Sequence, residues 1–320
     1  MTKPDIIVIT GPTATGKTAL GVRLAKAING EIVSADSMQV YKHMDIGTAK
    51  PTVDERCGVP HHLLDIISPF EDYSVARYVE DASKCVDDIH KRGKIPVLVG
   101  GSGLYIDSLI AGRTFSARGD NSLRKQLEDE FDKTGGEVML KKLCKVDSDS
   151  AAKLHSNDKK RIVRALEAYM ATGKTISEHD IESKSVPRRY SAIKFALTFT
   201  QRAELYERIN RRVDSMMLRG LADEVVSLLD MGVSRKNTSM QAIGYKEISA
   251  ALQGNYDMTS AVEKVKMESR RYSKRQLTWL RRDDEITWIS WENEPDHDAG
   301  AEKIIRTFEK EVAHSAVEEQ

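Results

Sequence analysis

Residues 11–18 read Gly-Pro-Thr-Ala-Thr-Gly-Lys-Thr, and no other stretch limits the fold of this chain so severely. The spacing G-x-x-x-x-G-K-[ST] carries a mechanism only where a strand runs in and a helix runs out. Both flanks qualify. Asp5-Ile-Ile-Val-Ile-Thr is the short β-branched run of a buried strand, and Ala19 to Ile28 has the apolar spacing of a helix packed on a sheet. Between them Gly11 and Gly16 let the loop wrap, so that the N–H groups around Pro12, Thr13, Ala14 and Thr15 turn inward on phosphate oxygens. The dipole of the following helix adds positive potential. Lys17 brings a point charge to a terminal phosphate, and Thr18 brings a hydroxyl for Mg²⁺.

The pentapeptide Ala-Thr-Gly-Lys-Thr of that loop recurs at 171–175. The second copy follows the helical pattern KRIVRALEAYM, has Ala168 where the first glycine is required, and has no strand before it. Gly173 reads instead as the left-handed residue that ends a helix, with Lys174 near the negative end of the dipole. Only the first copy is a phosphate loop.

Further strands are expected at 31–35, 95–99 and 191–199, with a helical pattern over 75–93. This alternation predicts an α/β fold, a phosphate-loop NTPase-like doubly wound parallel sheet. Ligands of such sheets gather at the carboxyl ends of the strands. The loop at 11–18, Asp36 to Gln39 and Gly100 to Gly103 all fall at that edge. From 115 to 187 the chain is charged, amphipathic and free of strand signals, so an inserted all-helical subdomain is expected there. Residues 1–114 and 188–320 would form the core with its C-terminal helices, the tail beyond about 310 being frayed.

Composition excludes more than it selects. Lys+Arg and Asp+Glu balance at 49 each, so net charge names no partner. Cys57, Cys85 and Cys144 are odd in number and widely spaced, which argues against a disulfide framework or a zinc site. Adjacent histidines at 61 and 62 point apart on an extended segment and make a poor metal site. No apolar run reaches the length of a membrane span, and the first is too short for a signal peptide. A cytoplasmic monomer without membrane contact is expected.

Three features bear on chemistry. Asp36 follows the second strand and reads either as an acid serving the phosphate site or as a residue capping a turn. Ser102, among three glycines, reads either as a hydroxyl donor to a charged oxygen or as part of a tight turn. From Lys264 to Arg282 eight Lys or Arg stand against the single acid Glu268, with Tyr272 and Trp279 interleaved. So lopsided a stripe suits a polyanion, with aromatics for stacking.

Taken in order, GPTATGKT, DSMQVY, GTAKP, PHHLLDI, GGSGLYI, KRIVRALE, AIGYKEI and SRRYSKRQLTWLRR resemble the bacterial tRNA dimethylallyltransferases over about residues 11–282. The resemblance implies an enzyme that moves a dimethylallyl group from dimethylallyl diphosphate to the exocyclic amine of an adenine. That adenine lies 3′ of the anticodon in tRNAs reading codons that begin with U, and diphosphate is released. It implies that residues 11–18 hold the diphosphate with Mg²⁺ at Thr18, and that Lys17 and an arginine of RINRRVD, Arg212 with Arg211 as the alternative, neutralise it. Asp36 would take the proton from the amine, and Ser102, commonly Thr in the family, would bond the oxygen that leaves. The implied tRNA contacts are Asp36, Ser37, Met38, Gln39, Ser102, Arg124, Lys160, Arg161, Ile162, Val163, Arg164, Gln241, Gly244, Lys246, Arg271, Lys274 and Arg275. The base would be flipped into a channel, and the helical insert would clamp the anticodon stem-loop. Two rivals remain at this point: a small-molecule kinase using ATP at residues 11–18, and a non-catalytic RNA-binding regulator with the loop as a switch.

Overall fold

The computed structural model describes residues 4–113, 115, 121–185 and 187–318. In chain order the first part holds β1 (Ile6–Thr10), α1 (Lys17–Ala27), β2 (Gly30–Ser34), α2 (Val53–Arg56), β3 (His61–His62), α3 (Val75–Lys91), β4 (Ile95–Val99) and α4 (Gly103–Ala111). The helical stretch α5 (Asn121–Thr134), α6 (Gly136–Val146), α7 (Ser148–Ala151), α8 (Lys159–Thr172) and α9 (Ile176–Ser185) follows. The chain then returns with β5 (Ala192–Phe199), α10 (Arg202–Leu218), α11 (Leu221–Asp230), α12 (Tyr245–Leu252), α13 (Met258–Leu280), β6 (Ile286–Trp291) and α14 (His297–Glu318).

These elements form two compact units, one built from Met1–Ile110 with Arg189–Gln320 and the other from Ala111–Arg188. The division falls within the last turn of α4; residue 114, taken from the sequence as the end of the first core segment, lies outside the described residues.

The first unit is a doubly wound sheet of six parallel strands in the order β3-β2-β4-β1-β5-β6. Every residue of β1 and β2 is buried, as expected of β-branched runs covered on both faces. Ile7, Ile9, Leu20, Leu24, Phe195 and Leu197 pack into one core between sheet and helices. Helix α1 starts at Lys17, two residues before the apolar spacing begins, because Gly16 in the left-handed region (φ 86°) turns the loop straight into it. Two strands carry little sequence signal. β3 is two residues long, and β6 is an edge strand whose only neighbour is β5. Among the described residues the expected frayed tail is not found: α14 continues to Glu318, with Ile304 and Phe308 in the main core and Val312 packed against it.

The second unit has its own core, with Leu127, Met139, Leu143, Ile162, Val163 and Leu166 buried together. The second ATGKT closes α8. Gly173 is left-handed (φ 72°) and its N–H returns to the Tyr169 carbonyl at 2.8 Å.

A candidate active site at the carboxyl edge of the sheet

The phosphate loop is shaped from within and braced from outside. Gly11 has φ 141°, and a Cβ there would lie 2.5 Å from the Leu197 carbonyl, so the loop passes β5 too closely for any side chain. The buried Thr15 hydroxyl donates to the Pro12 carbonyl at 2.9 Å. Helix α1 opens with no side-chain cap and no acidic residue in its first turn, which leaves its first N–H groups for an anion. Two braces come from far along the chain. Trp291 Nε1 donates to the Thr15 carbonyl at 3.1 Å. Gln276 accepts the Thr13 N–H at 3.2 Å and donates to the Gly101 carbonyl at 2.9 Å, tying the phosphate loop to the glycine loop after β4.

A cavity of about 760 Å³ opens above this loop. Thr13 to Thr18, Asp36 to Gln39, Arg212, Gln241 and Arg275 line it, all of them named from the sequence. Gly11 and Pro12 are buried. Arg212 also borders a second, outer recess beside Ala14 and Gly16, whereas Arg211 borders only that recess. Arg208, on the same helix, donates to the Ala14 carbonyl at 3.3 Å.

Asp36 satisfies both readings offered for it. Its Oδ1 accepts the N–H groups of Met38 (2.8 Å) and Gln39 (3.3 Å), which makes it the cap of a turn. The same carboxyl lies on the cavity wall, close enough for its field to act on Lys17, Arg212, Tyr105 and Tyr272. Lys17 Nζ donates to the Pro12 carbonyl at 2.6 Å. Burial pushes its ammonium down to about 7, neighbouring Arg212 adds to that fall, and Asp36 opposes it. Burial likewise lowers Arg212, again against the pull of Asp36. One anionic and two cationic groups therefore meet around a cavity with room for a polyphosphate.

Ser102 does not line the cavity; Gly100 and Gly101 do. Its N–H donates to the Ala35 carbonyl at 3.2 Å, and its hydroxyl lies close enough to the Tyr272 phenol to lower that group slightly. Burial, with the Asp36 charge behind it, pushes Tyr272 up to about 12, so the phenol keeps its proton. Tyr272, Gln276, Trp291 and Arg219 are site groups that sequence reading did not select. Tyr272 had one signal, its place within the basic stripe.

The basic residues sort by exposure. On α13, Lys274 and Arg275 are exposed, Arg275 lies 5.6 Å over the Tyr272 ring, and Arg271 is paired with Glu268 at 2.7 Å. Lys246 is exposed on α12; Gly244 is buried at the start of that helix with φ 98°. Gln241 donates to the Arg235 carbonyl at 2.6 Å. In the helical unit Lys160 and Arg161 face solvent, while Arg124 (2.8 Å) and Arg164 (3.0 Å) share the buried carboxylate of Glu167. Ile162 and Val163 correct the sequence reading: at 0% and 2% exposure they fill that unit's core and have no side-chain surface for RNA.

Among the described residues no group of three or more His, Cys, Asp or Glu is arranged for a metal. In the histidine pair, His61 Nδ1 meets the Val59 carbonyl and His62 Nε2 meets Glu31, each at 2.8 Å, while the His61 ring borders the cavity. Mg²⁺ needs less than such a cluster, because it keeps waters and takes most of its remaining ligands from phosphate oxygens. Thr18, on the cavity wall at the start of α1, offers the one hydroxyl that such a site requires.

Comparison with known proteins finds relatives over nearly the whole chain. The family model for IPP transferase matches residues 39–283. The tRNA dimethylallyltransferase of Acetivibrio thermocellus is 46% identical over 310 residues, covering 97% of each chain. That of Carboxydothermus hydrogenoformans is 47% identical over 313 residues, covering 98% of this chain and 97% of its own. Among solved structures, the tRNA isopentenylpyrophosphate transferase of Bacillus halodurans aligns over 99% of both chains with a TM-score of 0.74 and 42% identity. A eukaryotic dimethylallyltransferase acting on tRNA aligns with a TM-score of 0.77 and 33% identity, over 91% of this chain and 74% of its own.

Proposed function

The chain belongs to the IPP transferase family, and from that premise we propose that it dimethylallylates tRNA. The donor is dimethylallyl diphosphate, and the acceptor is the exocyclic amine of the adenine 3′ of the anticodon in tRNAs reading codons that begin with U. The observation that carries this reading is the meeting of Lys17, Arg212 and Asp36 around one cavity above the phosphate loop.

The amine nitrogen attacks the allylic carbon as the bond from that carbon to the diphosphate oxygen breaks. Electrons of that bond leave with the diphosphate, and the proton of the amine passes to the Asp36 carboxylate. Adenine's amine is a weak nucleophile, so a positioned base is needed. Lys17, Arg212 and the N–H groups of residues 13–18 hold the growing negative charge of the leaving group. Ser102, next to the cavity-lining Gly101 and near Tyr272, is assigned the departing oxygen by the family resemblance, and a small turn of its hydroxyl toward the cavity is required. Mg²⁺, held by Thr18 and the diphosphate, supplies further charge neutralisation when bound. Ser37, Met38 and Gln39 line the cavity beside the proposed base and read the flipped adenine. Lys160, Arg161, Arg164, Lys246, Lys274 and Arg275 supply phosphate contacts. No helix among the described residues is long and apolar enough to cross a membrane. We assign the enzyme to the cytoplasm with its substrate, acting as a monomer.

A kinase with the same core has no use for the exposed basic face of α13. Labelled dimethylallyl diphosphate, Mg²⁺ and an unmodified anticodon stem-loop test the proposal. Label should enter the RNA with the wild-type chain and fail to enter with Asp36→Asn, while donor binding persists. ATP consumption without prenyl transfer would overturn it.

A further inference from the structure

The motifs Gly47 to Pro51 and Ala242 to Lys246 supply part of the cavity wall and, apart from Lys246, have no assigned role in that reaction; they meet at Glu224 in the first turn of α11. Glu224 Oε2 accepts the backbone N–H groups of Asp45 and Ile46, both at 2.8 Å. Its Oε1 accepts the Gly47 N–H at 3.1 Å and the Tyr245 hydroxyl. One carboxylate thus collects four donors. Burial raises the Tyr245 phenol far above its ordinary range, with the Glu224 charge acting in the same direction, so the hydroxyl remains a donor. Gly47 is small for a stated reason: a Cβ at that position would run into the Tyr245 ring.

The turn held in this way reaches the proposed base. Lys50, almost fully buried, pairs with Asp45 at 2.6 Å and Asp65 at 2.5 Å and donates to the Tyr41 carbonyl at 2.8 Å. The carbonyls of Thr48 and Ala49 both accept from Gln39 Nε2 at 3.2 Å. The Gln39 N–H in turn is one of the two donors on Asp36 Oδ1. A path of hydrogen bonds joined by short covalent stretches therefore links α11 through the turn at 45–49 to the carboxyl on the cavity wall.

We propose that Glu224 is a positioning residue: with Tyr245 it sets the turn at 45–49 and, through Gln39, the aim of Asp36. The proposal rests on the role of Asp36 given above. It separates from a general stabilising role because glutamine has the same size as glutamate. In either orientation the amide NH₂ of a glutamine faces two donors, Asp45 and Ile46 on one side or Gly47 and Tyr245 on the other. A residue that merely filled space would tolerate the exchange. A residue that holds the turn would not.

The test uses the full chain carrying Glu224→Gln, Glu224→Asp or Tyr245→Phe. Three things are measured: amide hydrogen exchange at 45–47, KM for donor and stem-loop, and kcat. In Glu224→Gln the three amides should exchange faster and kcat should fall on the order of 100-fold, the scale of a misplaced catalytic group. The donor KM should stay within about twofold, because the phosphate loop is not on the path. Glu224→Asp keeps both oxygens and should recover part of kcat, with Tyr245→Phe between wild type and Glu224→Gln. Unchanged protection at 45–47 in Glu224→Gln would overturn the proposal, as would an unchanged kcat or a fall matched by equal rises in both KM values. Exchange is read without turnover, so absence of label transfer by the wild-type chain is a separate failure, that of the transferase reading.

Discussion

Lys17 is the residue whose state depends most on what fills the cavity. Burial and Arg212 bring its ammonium down to about 7, so near neutrality part of the ligand-free protein carries it uncharged. A bound diphosphate favours the charged form and must raise that value, so donor binding takes up a proton. Below the free-protein value the lysine is already charged and uptake vanishes. Above it, affinity weakens as pH rises, by up to about tenfold per unit. Calorimetry at pH 8 in buffers of different ionisation heat, corrected for titration of the free donor, should show net proton uptake; release would contradict the assignment. The two ATGKT copies allow a second test on single residues. Gly16 and Gly173 are both left-handed, but a Cβ on Gly16 would lie 2.7 Å from His297 Nε2, whereas one on Gly173 meets nothing within 4 Å. Gly173→Ala should therefore cost only the backbone term, about 1 kcal/mol in thermal unfolding, with the donor KM unchanged. Gly16→Ala should raise the donor KM sharply.

Helix α13 shows, at the scale of an element, where sequence reading stops. Its charge was legible, because eight cations against one acid over 264–282, six of the cations on the helix itself, is a pattern within a single segment. Its inward face was not. Gln276 matters because folding brings it to Thr13 and Gly101, and no local pattern in the sequence encodes that approach. Trp291 bracing Thr15 is the same case, on an edge strand whose Ile-Thr-Trp-Ile-Ser-Trp run was not recognised. Strands β1, β4 and β5 were legible because strands of a covered parallel sheet read as mostly apolar runs, and β2 from the Ile32-Val33 pair at its centre. β3 is too short to carry any period. The two faces of α13 predict different phenotypes. Gln276→Leu leaves the Thr13 N–H and the Gly101 carbonyl unpartnered at about 1–3 kcal/mol and should raise the donor KM roughly tenfold or more. Replacing Lys274 by alanine should leave the donor KM alone, weaken stem-loop binding and lower its salt slope by about one.

At the scale of the molecule the charges sum to zero, so attraction for RNA has to come from local surfaces carried by the two units. The insertion of a helical unit was legible from the abrupt loss of β-branched runs after α4. Which of its basic residues face outward was not, because Lys160, Arg161, Ile162, Val163 and Arg164 are consecutive and only the helical turn separates surface from core. Within that unit Arg124 and Arg164 are already engaged by Glu167, while Lys160 and Arg161 face solvent. The unit has its own apolar core, so alanine at those two exposed positions should leave its fold intact. If both units grip the same RNA, the affinity lost in Lys160→Ala with Arg161→Ala should add to that lost in Lys274→Ala with Arg275→Ala. Agreement within about 0.5 kcal/mol is the expectation for separate sites. Donor binding, which falls to the phosphate loop and Arg212 of the first unit, should be unchanged in Lys160→Ala with Arg161→Ala. Stem-loop titrations over a range of salt read both quantities. A silent pair would confine RNA recognition to one unit, and a changed donor affinity would mean that these charges act on the phosphate site itself.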